Sequence, residues 1–397
     1  MKLSLERVNH EQLFEIMKIT LNAGHSLMIR GGVGIGKTYT VEEYARYKAR
    51  KMERKFVNWL DLSKGEREEL AHNPERLKET YILALFDTLN KLPEDTGGVP
   101  VPVNGFIEWK PPMLFWVLSQ QGAAGVLFLD EVLQAELAVQ KPLADLFLNK
   151  QISDLRMAKD VAVVAASNRR TDKCGVIEML EHAKNRAGHV ELIPPTASEW
   201  VAWAKSRDKK DKEGNILESR IDYRIIMLVM SCPDVIYQEV GHRAGDAFGT
   251  PRSMTILSDL IKDVDHEKNK SLFLRLVASR VGNGIAAKFQ DVLNHDMATN
   301  GPAILQDPQL FRDSSWDRKV AFSMWLSGHS KGNRKFLRDA CQFLNDLGAH
   351  DMLDTILYMM KSVVGPSFQR ELAGTNKYPQ ALAALVDMAE AVGSIAK

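Results

Sequence analysis

The sequence predicts an α/β fold built on a parallel sheet and followed by a helical half. Two short, continuous apolar runs, residues 125–129 and 160–166, are typical of strands that a parallel sheet buries on both faces. A helix-forming stretch, residues 132–149, separates them, and such alternation indicates helices packed on the sheet. After Pro194 and Pro195 the strand signals fade. At 397 residues the chain is long enough for two or three domains.

The first part of the chain supplies further elements of the α/β fold. Apolar residues at helical spacing predict a helix over residues 9–23, with Asn9 as its N-cap. A buried strand follows at 26–30, and after a glycine-rich segment residues 38–51 predict a helix. We expect a second strand at 55–60.

The next segment consists of a polar stretch followed by a stretch rich in Gly and Pro. A polar stretch that includes residues 74–92 predicts helix. Residues 93–112 contain repeated Gly and Pro between short apolar pieces, which indicates a loop or hairpin insertion. Phe106 and Trp109 in this insertion either face a central pore or client protein, or pack against the core.

The second half predicts helices separated by polar segments. The charged stretch 207–213 predicts a solvated loop. The predicted helices are 199–205, 221–230, 255–264, 272–293, 316–325, 334–347 and 352–364. We therefore expect an α/β domain over residues 1–195, a helical lid over 196–293 and a helical C-terminal extension over 294–397.

Charge and cysteine content exclude some classes of function. The chain has 52 basic and 51 acidic residues, a formal charge of +1, so no global field attracts nucleic acid or an anionic membrane. Cys174, Cys232 and Cys341 lie far apart, which argues against a disulfide or metal site and favours a reducing cytoplasm. No signal peptide and no apolar run of about 18 residues occurs, so we expect a soluble, cytoplasmic protein.

One segment carries a specific phosphate-binding pattern. It matches GxxxxGK[ST] in full and follows a predicted strand and precedes a predicted helix. Glycines let the main chain wrap phosphates with its N–H groups pointing inward, and the helix N-terminus adds a positive dipole end. Lys37 would contact the β- and γ-phosphates, and the Thr38 hydroxyl would ligate Mg²⁺. The predicted cradle comprises Gly31, Gly32, Val33, Gly34, Ile35, Gly36, Lys37 and Thr38.

Polar residues end the two apolar strands that follow. Asp130 and Glu131 come directly after the first, where Asp130 can hold the water shell of Mg²⁺ and Glu131 can polarise an attacking water. Asn168 ends the second, where it can orient that water or touch the γ-phosphate without adding negative charge. The sequence therefore predicts hydrolysis of ATP to ADP and phosphate.

The order of these segments resembles the AAA+ ATPases, and more narrowly the MoxR-like group, over about residues 13–293. Residues 31–38 match Walker A, 127–131 Walker B, 165–169 a sensor-1 strand and 249–253 a sensor-2 segment, and 97–112 resembles the hairpin inserted in helix 2 of that group. The resemblance implies a RecA-like/AAA+ P-loop NTPase core, a helical lid and a helical C-terminal domain. Residues 63–92 are longer than the corresponding link, and 299–397 carry no motif of the family.

The resemblance also implies an assembly and a set of arginine roles. The nucleotide would lie between subunits of a ring, a hexamer by resemblance, with Arg186 as the finger that reaches a neighbour's site. Arg169 and Arg170 are rivals for that role. By the same resemblance, the lid helix would present Arg252 to the bound nucleotide. Partners in this group are often proteins with a von Willebrand factor A domain.

Three other classes of function compete with a MoxR-like chaperone. A nucleic-acid motor or loader would need a basic face interleaved with aromatic residues, which the balanced charge does not indicate. A nucleotide-gated binding scaffold would turn over negligibly, and Glu131 argues against it. In a metabolic P-loop kinase, the helical half and residues 250–252 would have no evident function.

Overall fold

The computed structural model describes residues 6–169, 186–210, 216–239, 247–266, 268–294, 297–330 and 333–348, together with parts of 353–386. Two compact units make up the chain. One comprises residues 1–194 with 239–242, and the other comprises 195–238 with 243–397. No helix in these ranges is both long enough and apolar enough to cross a membrane.

The first unit is an α/β layer structure. Its strands are β1 (Glu6–Val8), β2 (Leu27–Gly31), β3 (Lys55–Asn58), β4 (Thr80–Asp87), β5 (Val99–Val103), β6 (Phe106–Lys110), β7 (Ala124–Asp130), β8 (Gln151–Ile152), β9 (Leu155–Arg156), β10 (Asp160–Ser167) and β11 (Gly188–Leu192). Its helices are α1 (His10–Asn22), α2 (Lys37–Lys51), α3 (Lys64–His72), α4 (Pro74–Lys78), α5 (Pro93–Gly97), α6 (Met113–Ser119) and α7 (Leu137–Asn149).

Seven of these strands form one parallel sheet in the order β1-β11-β2-β10-β7-β4-β3. The central strands β7 and β10 are buried along nearly their whole length, and they consist mainly of apolar residues, as expected of strands covered on both faces. All the carboxyl ends of parallel strands share one edge, so the residues that follow β2, β7 and β10 meet there. The predicted fold class is confirmed in its architecture, an α/β core on a parallel sheet followed by a helical half.

Residues 74–92 differ from the helix that the sequence predicts. Only Pro74–Lys78 is helical, and Thr80–Asp87 is a strand inserted between β3 and β7. The run from Thr80 to Phe86 is apolar and rich in β-formers, and all but one of its residues are buried. Burial in the sheet therefore overrides the helical propensity of the flanking polar residues. Similarly, residues 132–134 form a 3-10 turn ahead of α7 instead of its first turn.

The predicted insertion at 93–112 is a hairpin between α5 and α6. Strands β5 and β6 form a separate two-stranded antiparallel sheet that pairs Pro100 with Trp109 and Pro102 with Ile107. Phe106 is 76% exposed and Trp109 51% exposed, so neither packs against the core of the unit. This outcome contradicts the alternative that these aromatic rings are core residues.

The second unit is almost entirely helical. Its helices are α8 (Ala197–Ser206), α9 (Tyr223–Ser231), α10 (Pro251–Ile261), α11 (Lys270–Val281), α12 (Asn283–Asn294), α13 (Met297–Gln306), α14 (Pro308–Arg312), α15 (Trp316–Ser330), α16 (Arg334–Leu347) and α17 (Pro366–Ala373). Two short strands, β12 (Lys209–Lys210) and β13 (Ile216–Glu218), pair with each other, and β12 lies within residues 207–213, which the sequence predicts as a loop. Most of the predicted helix 352–364 lies outside the described residues.

The predicted helix 272–293 is two helices, α11 and α12. Gly282 separates them with a φ of +86°, and a Cβ there would lie 2.4 Å from the carbonyl oxygen of Ala247. Only glycine combines that left-handed conformation with so close an approach. The helical periodicity continues across the break, which explains why the sequence pattern alone does not reveal it.

Two hydrophobic clusters form the core of the second unit. One extends from Trp200 to Phe289, and the other contains Met227 together with residues between Ile304 and Ala381. In the first cluster a buried ion pair joins Arg224 to Asp222 at 2.7 Å, and Arg224 also donates to the Ile261 and Val264 carbonyls. These bonds satisfy carbonyl groups at the end of α10. The separation of lid and extension at residue 293 stays a prediction.

Close strand packing at the centre of the sheet makes Gly125 sensitive to substitution. A Cβ on Gly125 would lie 2.2 Å from the carbonyl oxygen of Ile82 in β4. We expect Gly125→Ala to lower the free energy of unfolding by about 2 kcal/mol or more, since two buried strands must separate. Gly65→Ala on α3 is the control, because nothing lies within 4 Å and alanine favours the helix by about 1 kcal/mol. Urea denaturation measures both changes, and equal stability of the two variants would contradict the packing argument.

Candidate functional site

The glycine-rich segment forms a tight loop between β2 and α2. Gly34 and Gly36 have φ values of +70° and +100°, which favour glycine. A Cβ on Gly31 would lie 2.9 Å from the Leu192 carbonyl oxygen. In the part of the chain that the structure describes, the amides of Val33, Gly34 and Gly36 donate to no main-chain oxygen. The loop therefore presents N–H groups at the start of α2, as anion binding at a helix N-terminus requires.

The side chain of Lys37 lies inside this loop. The residue is only 7% exposed, and its Nζ donates to the carbonyl oxygens of Gly31 at 3.1 Å and Gly32 at 3.0 Å. It also donates to Asn168 Oδ1 at 2.9 Å. A buried ammonium is tolerated because it has acceptors for its N–H groups. Lys37 thereby ties the P-loop to the end of β10.

Asp130 and Thr38 meet at the end of β7. The Thr38 hydroxyl donates to Asp130 Oδ2 at 3.3 Å, although the two residues are 92 positions apart. Asp130 Oδ1 accepts from the Glu131 amide at 3.0 Å. A hydroxyl beside a carboxylate supplies the hard oxygen atoms that Mg²⁺ prefers.

Glu131 has an unusual main-chain conformation and a desolvated carboxylate. Its φ of +55° and ψ of +31° place it in the left-handed region, which is costly for a residue with a Cβ. Asn168 Nδ2 donates to both carboxylate oxygens, at 2.9 and 3.0 Å. Desolvation by burial raises the pKa of Glu131 against the opposing effect of Lys37, and nearby Asp130 raises it further. A carboxyl group with a raised pKa is a better proton acceptor, as a general base requires.

Two contacts of the site were not expected from the sequence. His10, at the start of α1, places Nδ1 2.7 Å from Thr40 Oγ1, and its ring lies 3.1 Å from where a Cβ on Gly36 would stand. Thr88, directly after β4, contacts the Asp130 carbonyl. Neither residue belongs to a local motif, because each contact depends on which strands and helices become neighbours. Recognising residues 80–87 as a strand would have indicated Thr88.

Arg186 and Arg169 each contact a carboxylate. Arg186 donates to Asp145 Oδ1 at 2.7 Å and to the Ala144 carbonyl at 3.3 Å, both on α7. Arg169 lies 3.8 Å from carboxylate oxygens of Glu191 and Glu239. Arg170 lies outside the described residues.

Arg252 belongs to the second unit, where it is exposed in the first turn of α10. Thr250 caps this helix: its hydroxyl accepts from the Ser253 amide at 3.0 Å, and the Thr250 amide donates to Ser253 Oγ at 2.7 Å. Pro251 then occupies the first turn, where main-chain N–H groups have no acceptor within the helix, so the N–H that proline lacks is not missed. The sequence around Arg252 therefore sets the start of the helix at Pro251, ahead of the predicted start at residue 255.

The residues present fit a nucleoside triphosphate with Mg²⁺. Inward N–H groups and the Lys37 ammonium suit a polyphosphate, which would compete for the ammonium with the loop carbonyls that now accept from it. Thr38 and Asp130 would hold the metal ion, and Glu131 with Asn168 would face the water. The structure thus brings together Lys37, Thr38, Asp130, Glu131 and Asn168 from three segments of the sequence.

Comparisons with known proteins show only weak likeness to solved structures. No protein-family model matches the chain, and neither does any curated protein. Among solved structures, a RuvB mutant from Thermotoga maritima is 18% identical, with a TM-score of 0.29 over 77% of this chain and 79% of that one. ORC2 from Aeropyrum pernix, in ADPNP and ADP complexes, is 14% identical, with a TM-score of 0.33 over 98% and 94%. NtrX from Brucella abortus with ADP is 14% identical, with a TM-score of 0.34 over 96% and 68%. Likeness this low says nothing about what this chain binds or does.

Desolvation of the Glu131 carboxylate predicts a stability cost at neutral pH. Because the pKa is raised in the folded state, the folded protein binds the proton more tightly than the unfolded chain, so ionisation lowers stability as the pH rises through the folded-state pKa. We expect Glu131→Gln to raise the melting temperature of the nucleotide-free protein at pH 8. The gain should disappear below the pKa of an unfolded glutamate, about 4.3.

Differential scanning fluorimetry from pH 4 to pH 8 measures this difference. Glu136→Gln, at an exposed position five residues later, is the control and should change little. A Glu131→Gln protein that is less stable than wild type at pH 8 would contradict the predicted cost.

Proposed function

We propose that this chain is a Mg²⁺-dependent ATPase that hydrolyses ATP to ADP and phosphate. One observation carries the proposal: the Lys37 ammonium, the Asn168 amide and the Glu131 carboxylate form a continuous hydrogen-bonded chain. This series of hydrogen bonds links the Lys37 ammonium, which would bind phosphate, to the desolvated Glu131 carboxylate through the neutral Asn168 amide. Such a connection suits attack of water on a terminal phosphate, because the same residues would position both the phosphate and the base.

Each residue has a role that follows from its position. The P-loop amides and Lys37 would bind and neutralise the phosphates. Glu131 would accept the proton of the attacking water, and Asn168 would hold the Glu131 carboxylate and the water in line. When bound, Mg²⁺ at Thr38 and Asp130 would offset charge that develops on the phosphate oxygens.

We further propose that hydrolysis drives conformational work on a partner protein in the manner of a MoxR-like AAA+ chaperone. The hairpin β5–β6 supports this proposal, because it stands between α5 and α6, where a helix-2 insert occurs in that group. Its exposed Phe106 and Trp109 offer contact area to a client, for which a protein with a von Willebrand factor A domain is our candidate. A hexameric ring would place Arg186 at a neighbour's site and let Arg252 act as sensor 2.

Two substitutions separate nucleotide binding from hydrolysis. Lys37→Ala removes two or more charge-assisted hydrogen bonds, so we expect ATP to bind about 100-fold more weakly. Glu131→Gln keeps the P-loop and should bind ATP normally, while kcat falls by about 10²–10⁴-fold. Fluorescent-nucleotide titration and phosphate release measure the two quantities.

The matched controls are Lys51→Ala, at the exposed end of α2, and Glu136→Gln; both should behave as wild type. Equal turnover by wild type and Glu131→Gln would support a nucleotide-gated scaffold instead. Stimulation of turnover by DNA or RNA would support the nucleic-acid motor.

The role of Arg186 can be separated from its ion pair with Asp145. If Arg186 acts on a neighbour's nucleotide, Arg186→Ala should lower kcat by about 10³-fold, while Asp145→Ala should leave kcat near wild type. Mixing Arg186→Ala with Glu131→Gln chains should then restore part of the turnover, because some interfaces combine an intact arginine with an intact base. Particle mass with and without ATP reports the ring. Equal effects of both alanine variants would show that the pair is only structural.

A further inference from the structure

Thr88 contacts the main chain of the acidic pair and not its side chains. It follows β4 directly, is completely buried, and its hydroxyl donates to the Asp130 carbonyl oxygen at 2.8 Å. Its own amide donates to the same oxygen at 3.1 Å. Because β4 and β7 are parallel neighbours that pair Asp87 with Asp130, Thr88 extends the ladder by one residue and adds a side-chain bond to it.

These bonds fix the peptide group between Asp130 and Glu131 at both ends. Thr88 holds the carbonyl oxygen, and Asp130 Oδ1 holds the N–H group of Glu131 at 3.0 Å. The plane of this peptide sets the direction in which the chain leaves β7. Glu131 then adopts its left-handed conformation, with φ of +55°, which a residue with a Cβ rarely adopts unless its surroundings hold it there.

We propose that Thr88 is a positioning residue for the Glu131 base, which it aims by holding the Asp130–Glu131 peptide in the orientation that the left-handed turn needs. If the Glu131 main chain relaxed from the left-handed region, its side chain would no longer point toward Asn168. The Asn168 amide now donates to both carboxylate oxygens. The inference rests on the proposed ATPase function. It adds a residue that contacts the main chain of Asp130.

The variant Thr88→Val tests this role, since valine has the same shape and keeps the amide bond but lacks the hydroxyl. We expect kcat to fall about 10-fold with KM for ATP within twofold of wild type, because the base is displaced while the P-loop is intact. Thr88→Ser restores the hydroxyl and should recover most of the turnover. In a Glu131→Gln background Thr88→Val should cause no further loss, because the base through which it acts is absent.

Thr80→Val is the matched control. Thr80 lies at the opposite end of the same strand, is also buried, and its hydroxyl also donates to a main-chain carbonyl, that of Arg76 at 2.7 Å. The Thr80→Val substitution should leave kcat unchanged. Full activity in Thr88→Val, equal losses in Thr88→Val and Thr88→Ser, or a further loss in the Glu131→Gln background would overturn the proposal.

A crystal structure of Thr88→Val tests the positioning role without a measurement of turnover. We expect Glu131 to leave the left-handed region, or its carboxylate to leave Asn168. An unchanged Glu131 would overturn the positioning role even if activity fell. If wild type instead turns over no faster than Glu131→Gln, the ATPase proposal fails, and the structure of the variant still decides whether Thr88 holds the Glu131 main chain.

Discussion

The buried ammonium of Lys37 organises the site that we propose for nucleotide. A cation at this depth is tolerated only with several acceptors, and here two of them are carbonyls of the loop that precedes it and the third is Asn168, 131 positions away. Asn168 in turn bonds both oxygens of Glu131. One charge therefore fixes the conformation of the P-loop and, through one amide, the direction of the acidic side chain at the end of β7.

The parallel sheet makes this convergence possible. Strands β2, β10 and β7 are successive neighbours, so their carboxyl ends supply the loop, the amide and the acidic pair along one edge. The arrangement has a cost. Glu131 combines a strained main chain with a desolvated carboxylate, and both features lower the stability of the fold. The rigid ladder of buried strands offsets that cost.

The sequence predicts those parts of the molecule that depend on local chemistry. The glycine-rich loop, the acids after an apolar strand and Asn168 each carry their own signal, and the structure brings them together. Strand β4 was missed because flanking helix formers obscure an apolar run, and the break at Gly282 was missed because periodicity continues across it. Thr88 carries no local signal, since its contact with Asp130 spans 42 residues and depends on the placement of β4.

The prolines of the inserted hairpin give its two edges different properties. Proline has no N–H, so Pro100 and Pro102 cannot be donors to β6, and their partners Trp109 and Ile107 belong to pairs without hydrogen bonds. The free edge of β5 consequently lacks two donors, which prevents regular extension by another strand. A projecting ribbon with apolar side chains is thereby protected on one side against edge-to-edge aggregation, an advantage for a segment that keeps large hydrophobic groups in water.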